Sequence, residues 1–202
     1  AGQKYQNFSG PVLAAGDLIF ADLNDDGMVR AGQDRTFIGN PTPDFIGGMN
    51  LSMEYKGWDF AVDFQGTYGN DIFNSKIFER YGGDDNYSRA FLDRWTLGNT
   101  KTKIPRMTTG GNNYQISTRW LQDGSYLKLQ TIELGYSLPG SMLEKLRIQN
   151  VRLYAGANNL FYLTKYDGLT PEISRSNNLE RGIDRSIYPV TSSARLGINI
   201  TF

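Results

Sequence analysis

Phe45-Ile46-Gly47-Gly48-Met49-Asn50-Leu51-Ser52-Met53-Glu54-Tyr55-Lys56-Gly57-Trp58-Asp59-Phe60-Ala61-Val62-Asp63-Phe64-Gln65-Gly66-Thr67-Tyr68 is the stretch that decides the fold. Met49, Leu51, Met53 and Tyr55 alternate with Asn50, Ser52, Glu54 and Lys56. After Lys56-Gly57, a tight-turn pair, Trp58, Phe60, Val62, Phe64 and Tyr68 alternate with Asp59, Asp63, Gln65 and Thr67. Successive side chains of a strand point to opposite faces. A period of two on both sides of a short turn therefore predicts an antiparallel hairpin with one apolar and one polar face.

Three further segments carry the same signature. A third strand is predicted from Tyr126 to Leu138, with Ile132, Leu134 and Tyr136 on one face and Glu133 and Ser137 on the other. Leu127 and Leu129 sit on the opposite phase, which points to a bulge near Gln130 or to a strand end standing clear of the bilayer. Pro139-Gly140 ends this strand, and Ser141 to Leu146 reads as one helical turn. Ile148 to Leu160 gives a fourth strand, with Val151, Leu153, Ala155 and Ala157 alternating with Arg152, Tyr154 and Asn158. The last strand sets Leu196, Ile198, Ile200 and Phe202 against Arg195, Gly197, Asn199 and Thr201. Residues 1–44 are loop-like, with one apolar stretch at Leu18-Ile19-Phe20. Residues 70–124 are irregular, with helix-like spacing at Ile72 to Tyr81 and Ser88 to Trp95, and residues 161–187 form a polar loop.

With the end of the chain taken as periplasmic, five strands run down, up, down, up, down. The short connections, Lys56-Gly57 and 139–147, then fall on one side, and the long ones, 1–44, 70–124 and 161–187, fall on the other. That sorting is the habit of outer-membrane barrels. Asn50, Glu54, Asp59, Asp63, Glu133, Arg152 and Arg195 are too polar for a dry core, where an unpaired charge costs several kcal/mol. They suit a wet lumen or the surface of a plug, or else the solvated face of a soluble antiparallel sheet. The fold expected is all-β: an antiparallel transmembrane β-barrel segment, about five strands of a larger barrel, with long extracellular loops. Residues 1–44 form an external loop and 45–202 carry the strands. Open edges are not tolerated against lipid, so five strands cannot be a whole barrel and pair with strands lying elsewhere.

Composition fits. The chain has 202 residues, with 21 Lys and Arg against 21 Asp and Glu, so no basic footprint points to nucleic acid. Histidine and cysteine are absent, which removes Cys/His zinc sites, His-dependent nucleophilic machinery and disulfides. Glycine at 23 and aromatics at 13% suit β structure with many turns and aromatic belts. No apolar run is long enough for a membrane-spanning helix, and no signal peptide is read behind Ala1-Gly2-Gln3-Lys4. A mean hydropathy of −0.45 does not argue against a barrel, whose strands are apolar on one face only.

Short pieces spread along the chain carry a family resemblance. They are Gly16-Asp17 through Asp22-Leu23-Asn24-Asp25-Asp26-Gly27, Asp34-Arg35-Thr36-Phe37-Ile38-Gly39-Asn40-Pro41-Thr42-Pro43, Arg94-Trp95-Thr96 and Tyr126-Leu127-Lys128-Leu129. Leu134-Gly135-Tyr136-Ser137-Leu138-Pro139, Asn158-Asn159-Leu160, Thr164-Lys165-Tyr166-Asp167-Gly168, Pro171-Glu172 and the closing strand follow in order. In that order the chain resembles the C-terminal region of the SusC/RagA family of TonB-dependent outer-membrane transporters of Bacteroidetes. The resemblance implies a large barrel with an N-terminal plug, a SusD-like surface lipoprotein as lid, import driven by the TonB complex, and glycans or peptides as cargo. It also implies that Leu196, Ile198, Ile200 and terminal Phe202 act as the barrel-assembly signal, where the plainer reading is a last strand that ends on Phe.

Asp22, Asn24 and Asp26 followed by Gly27 fit the first half of a calcium loop, in which alternate oxygen ligands converge on one ion. Position 12 is Gln33, so Asp34 completes the set only through a one-residue insertion; the alternative is an acidic turn held by hydrogen bonds with no metal. No other cofactor is required. The aromatic loops Tyr81 to Tyr87, Asn112 to Tyr114 and Tyr162 to Tyr166 suit sugar stacking or lid contact, or else interface girdle and loop packing. Trp58, Phe60 and Phe64 read as lipid-facing anchors. Among Asp84-Asp85, Glu172, Glu180 and Asp184 no spacing singles out a catalytic pair, so an enzyme is not expected. The competing class is a soluble, calcium-stapled β-sandwich that binds carbohydrate.

Overall fold

The computed structural model describes residues 4–5, 13–80, 87–144, 148–173 and 180–202. Five long strands form one antiparallel sheet: β1 Phe45–Tyr55, β2 Trp58–Tyr68, β3 Tyr126–Ser137, β4 Asn150–Thr164 and β5 Ser193–Thr201. Neighbours in sequence are neighbours in space, in the order β5-β4-β3-β2-β1. The β1–β2 register is unbroken from Phe45 opposite Tyr68 to Tyr55 opposite Trp58. Lys56 and Gly57 both take positive φ, 48° and 87°, as a two-residue hairpin turn demands. β1 and β5 are the two edges and do not pair with each other, so the sheet is open.

The bulge near Gln130 is present. Asp63 faces Thr131 but Phe64 faces Leu129, leaving Gln130 unpaired on β3 and returning Leu129 and Leu127 to the apolar face. A second irregularity lies on β4, which runs four residues beyond Leu160. Thr131 pairs Asn158 while Leu129 pairs Phe161, and Asn159 adopts φ 52° to absorb the extra residue. The sequence-based boundary at Leu160 is therefore corrected: a break in alternation marked a bulge, not an end.

Register places Met49, Met53, Trp58, Phe60, Ile132, Leu134, Leu153, Leu196 and Ile198 on one face of the sheet. That face is open: Met49 is 53% and Ile198 62% exposed, and Phe60 and Ile132 are only half-buried. They are not gathered in a sealed dry centre, as a β-sandwich requires. Tyr55, Trp58 and Tyr136 cluster at the hairpin end, with the Trp58 and Tyr136 ring centroids 4.7 Å apart, while Phe45 and Tyr68 stand at the other end. Aromatics at both rims of an apolar band are the girdles of a membrane barrel.

The chain divides into two compact units. One, residues 40–72, 122–182 and 187–202, contains the sheet; the other comprises residues 1–39, 73–121 and 183–186. In this second unit Phe91 and Trp120 are buried, with Phe73, Phe78 and Ile104 packed on them, and Phe78 meets Trp120 edge-on at 5.4 Å. Its helices are shorter than their spacing predicts. Asp71–Asn74 is extended, with Phe73 and Asn74 pairing Ile183 and Asp184, so the helix spans only Ser75–Glu79. Asn74 caps it, its side-chain oxygen accepting the Ile77 N–H at 3.1 Å. Arg89–Asp93 is a 3-10 turn, because the Trp95 N–H is donated to the Ile104 carbonyl instead of continuing a helix. The helical turn predicted at Ser141 to Leu146 is seen as Gly140–Leu143, and residues 145–147 lie outside the described residues. No described helix is long and apolar enough to cross a membrane, which says nothing of strands.

Candidate functional site: the charged face of the sheet

Opposite the apolar face, strand alternation brings the sheet's charged residues side by side. The Arg152 guanidinium on β4 bridges two neighbours. Its Nε donates to Asp59 Oδ1 at 2.9 Å, and Nη2 to Asp59 Oδ2 and to Glu133 Oε1, the latter at 2.8 Å. Glu133 accepts again from Arg195 Nη2 at 2.6 Å, so acid and base alternate across β2, β4, β3 and β5. Asn50 donates to Asp63 on the same face. Two carboxylates and two guanidiniums cancel within this ladder. Glycine makes room for it: a Cβ on Gly135 would collide with both the Asp59 carboxylate and the Arg152 guanidinium.

A second cluster lies toward the other end of this face. Lys128, 5% exposed, donates from Nζ to both Glu172 oxygens at 3.2 and 3.1 Å. The Tyr162 hydroxyl donates to Glu172 at 2.6 Å and Tyr126 reaches it at 3.5 Å. Glu172 belongs to the connection after β4, so the clamp draws that connection onto the charged face. Tyr162 thus serves the clamp, and Tyr166 is buried against Gly168.

In the unit of residues 1–39, 73–121 and 183–186, Arg106 grips Asp17 through Nε and Nη2 at 2.7 and 2.8 Å. Asn113 donates to Asp17 Oδ1 at 2.9 Å and accepts the Leu18 N–H at 2.8 Å. Asn112 and Asn113 are 4% and 1% exposed, and the Tyr114 hydroxyl donates to the Thr108 carbonyl at 2.6 Å. The Asn112 to Tyr114 stretch is therefore tied into its unit by Asp17, Leu18, Arg106 and Thr108. Gly16 (φ 89°) lies against the Trp95 ring, so two resemblance motifs far apart in sequence, Gly16-Asp17 and Arg94-Trp95-Thr96, meet. Tyr87 stacks on Phe91 at 4.8 Å, while Tyr81, Asp84 and Asp85 lie outside the described residues.

The acidic loop is organised by N–H donors. Gly27 N donates to Asp22 Oδ2 at 2.8 Å, Asp26 N to Asn24 Oδ1 at 3.1 Å and Met28 N to Asp26 Oδ1 at 2.8 Å. Asp34 accepts the Arg30 and Leu23 N–H groups at 2.6 and 2.9 Å, which hold its carboxyl below the ordinary range. Among the described residues no three His, Cys, Asp or Glu side chains converge as metal ligands. Asp22 Oδ1, however, is buried with no hydrogen-bond partner.

This sheet and these motifs have relatives. The chain is 36% identical to TonB-dependent receptor P3 and 34% identical to TonB-dependent receptor P39, both of Formosa agariphila, with 93% and 100% of the chain aligned. It is homologous to the TonB-dependent receptors of the SusC and RagA kind. TonB-dependent receptor SusC of Bacteroides thetaiotaomicron is 26% identical over 91% of the chain. The structure of the RagAB peptide transporter superposes with a TM-score of 0.74 at 28% identity, covering 87% of the chain and 19% of that structure. No protein-family model matches. The chain spans about a fifth of the length of the curated relatives it matches. Its antiparallel sheet matches a β-barrel fragment of such transporters.

Proposed function

We propose that this chain forms part of the wall and outer loops of an outer-membrane, TonB-dependent importer of nutrients, glycans or peptides, working with a SusD-like surface lipoprotein. One observation carries the reading: a single sheet has an open apolar face and a charge-paired face, with its long connections at one end and its short ones at the other. The likeness to TonB-dependent receptors and to the RagAB peptide importer supports it. In this reading the apolar face meets outer-membrane lipid and the ladder faces the lumen or the plug. The plug, the TonB contact and the remaining strands are supplied by further sequence of a longer receptor. Leu196, Ile198, Ile200 and Phe202 serve as the barrel-assembly signal, and the chain contributes no catalytic group. Fractionation of cells expressing the receptor tests this. Recovery in the outer membrane, with migration that changes on heating, is expected. Folded, monodisperse protein in detergent-free buffer would favour the soluble sandwich instead.

For the acidic loop we propose a structural calcium held by Asp22, Asn24 and Asp26, because the unpartnered Asp22 Oδ1 is a donor oxygen the loop leaves unused. Asp34 completes the set, and its oxygens, like those of Asn24 and Asp26, also accept hydrogen bonds that shape the loop. A rise in unfolding temperature with added calcium, abolished by Asp22→Asn, is expected; identical melting in calcium and in chelator would leave only an acidic turn.

A further inference from the structure

Glycine weakens a strand, and inside one it marks a bulge, a bend or the close approach of a ligand or another backbone. Gly47 of β1 stands opposite Gly66 of β2 on the apolar face. The register there is unbroken and neither residue has positive φ, so the pair is not a bulge. Gly66 has a local reason, since a Cβ there would run into the Tyr126 carbonyl of β3. At Gly47, on the edge strand, a Cβ meets nothing of this sheet within 4 Å. The two missing side chains open a trough of about 900 Å³, walled by Phe45, Met49, Phe64, Tyr68, Leu127 and Leu163. At its end stands Lys165, whose charge acts on the Asp123 carboxylate beside it; that carboxylate also accepts the Ser125 N–H at 2.9 Å. An apolar channel that finishes at a cation matches an amphiphile with a negatively charged head.

We propose that this trough seats one acyl chain of an anionic membrane lipid, with the lipid phosphate at Lys165. The inference rests on the reading of this face as lipid-facing. The test uses the full-length receptor in vesicles of phosphatidylethanolamine and phosphatidylglycerol, the latter carrying a photoreactive diazirine in its acyl chain. Adducts concentrated on Met49, Phe64, Leu127 and Leu163 are expected. Gly47→Leu places its Cβ in open space and its side chain in the trough, so it loses those adducts while keeping the weaker ones at Leu196 and Ile198 and remaining heat-modifiable. Lys165→Gln lowers labelling by the phosphatidylglycerol probe and not by a phosphatidylcholine probe with the same chain. Even labelling of the whole face, or adducts unchanged in Gly47→Leu, overturns the proposal in favour of ordinary surrounding lipid or a neighbouring strand's side chain in the trough. Absence of adducts at Leu196 and Ile198 as well would sink the lipid-facing reading itself.

Discussion

Asp17 shows how one buried carboxylate ties distant sequence together, since its partners Arg106 and Asn113 lie about ninety residues away. Burial pushes its carboxyl up, but hydrogen bonds from Arg106, the Ala14 N–H and Asn113 outweigh that and hold it below the ordinary value. A carboxyl depressed in the folded state stabilises fully above its unfolded value of about 4, and the contribution is lost as pH falls through the folded value. Asp17→Asn therefore costs about 2–3 kcal/mol at pH 7, much less at pH 2, measured by denaturant unfolding at both. A glycine decides a second case. Gly135→Val drives a side chain into the Asp59–Arg152 pair and lowers barrel stability by about 1–3 kcal/mol. The temperature at which the heat-modifiable band disappears reads this directly, and Gly47→Leu, with free space around it, is the neutral comparison.

The edge strands make a prediction at the scale of elements. β1 and β5 each present an unpaired row of backbone groups, which lipid does not allow. In the membrane-embedded receptor their amides should exchange as slowly as those of central β3, measured by hydrogen exchange; fast exchange along either edge would mean that no further strand pairs there. How far such elements can be read from sequence depends on how local their causes are. The β1–β2 hairpin was legible almost to the residue, because its alternation and its Lys56-Gly57 turn lie within one stretch. Gln130 betrayed its bulge by the phase of Leu127 and Leu129. The end of β4 is not legible because Asn159-Leu160 shifts the register and breaks the alternation, and only pairing with β3 reveals the continuation. The helices are shorter than their spacing predicts because Asn74 and Trp95 bond to remote partners, Asp184's strand and Ile104. Charges on one face were visible in the sequence, whereas the Arg152 ladder and the Glu172 clamp were not, since their members sit on different strands or in a loop.

For the whole molecule, the account turns on which way the apolar face looks. A soluble protein rarely leaves so continuous an apolar surface uncovered. In a barrel wall the same surface is satisfied by hydrocarbon, and the opposite face needs the internal charge pairing seen between Asp59, Arg152, Glu133 and Arg195. The absence of cysteine makes the decisive measurement simple, because single cysteines can be placed on this segment without removing native ones from it. Spin labels at Met53, Leu134 and Ile198, and at Ser52, Thr131 and Asn199 on the opposite face, are to be compared in the receptor reconstituted in lipid. The account predicts that the first set relaxes with oxygen, which partitions into hydrocarbon, and that the second responds instead to a water-soluble nickel reagent. Nickel access at Met53, Leu134 and Ile198, or protection of all three from both reagents, would contradict it.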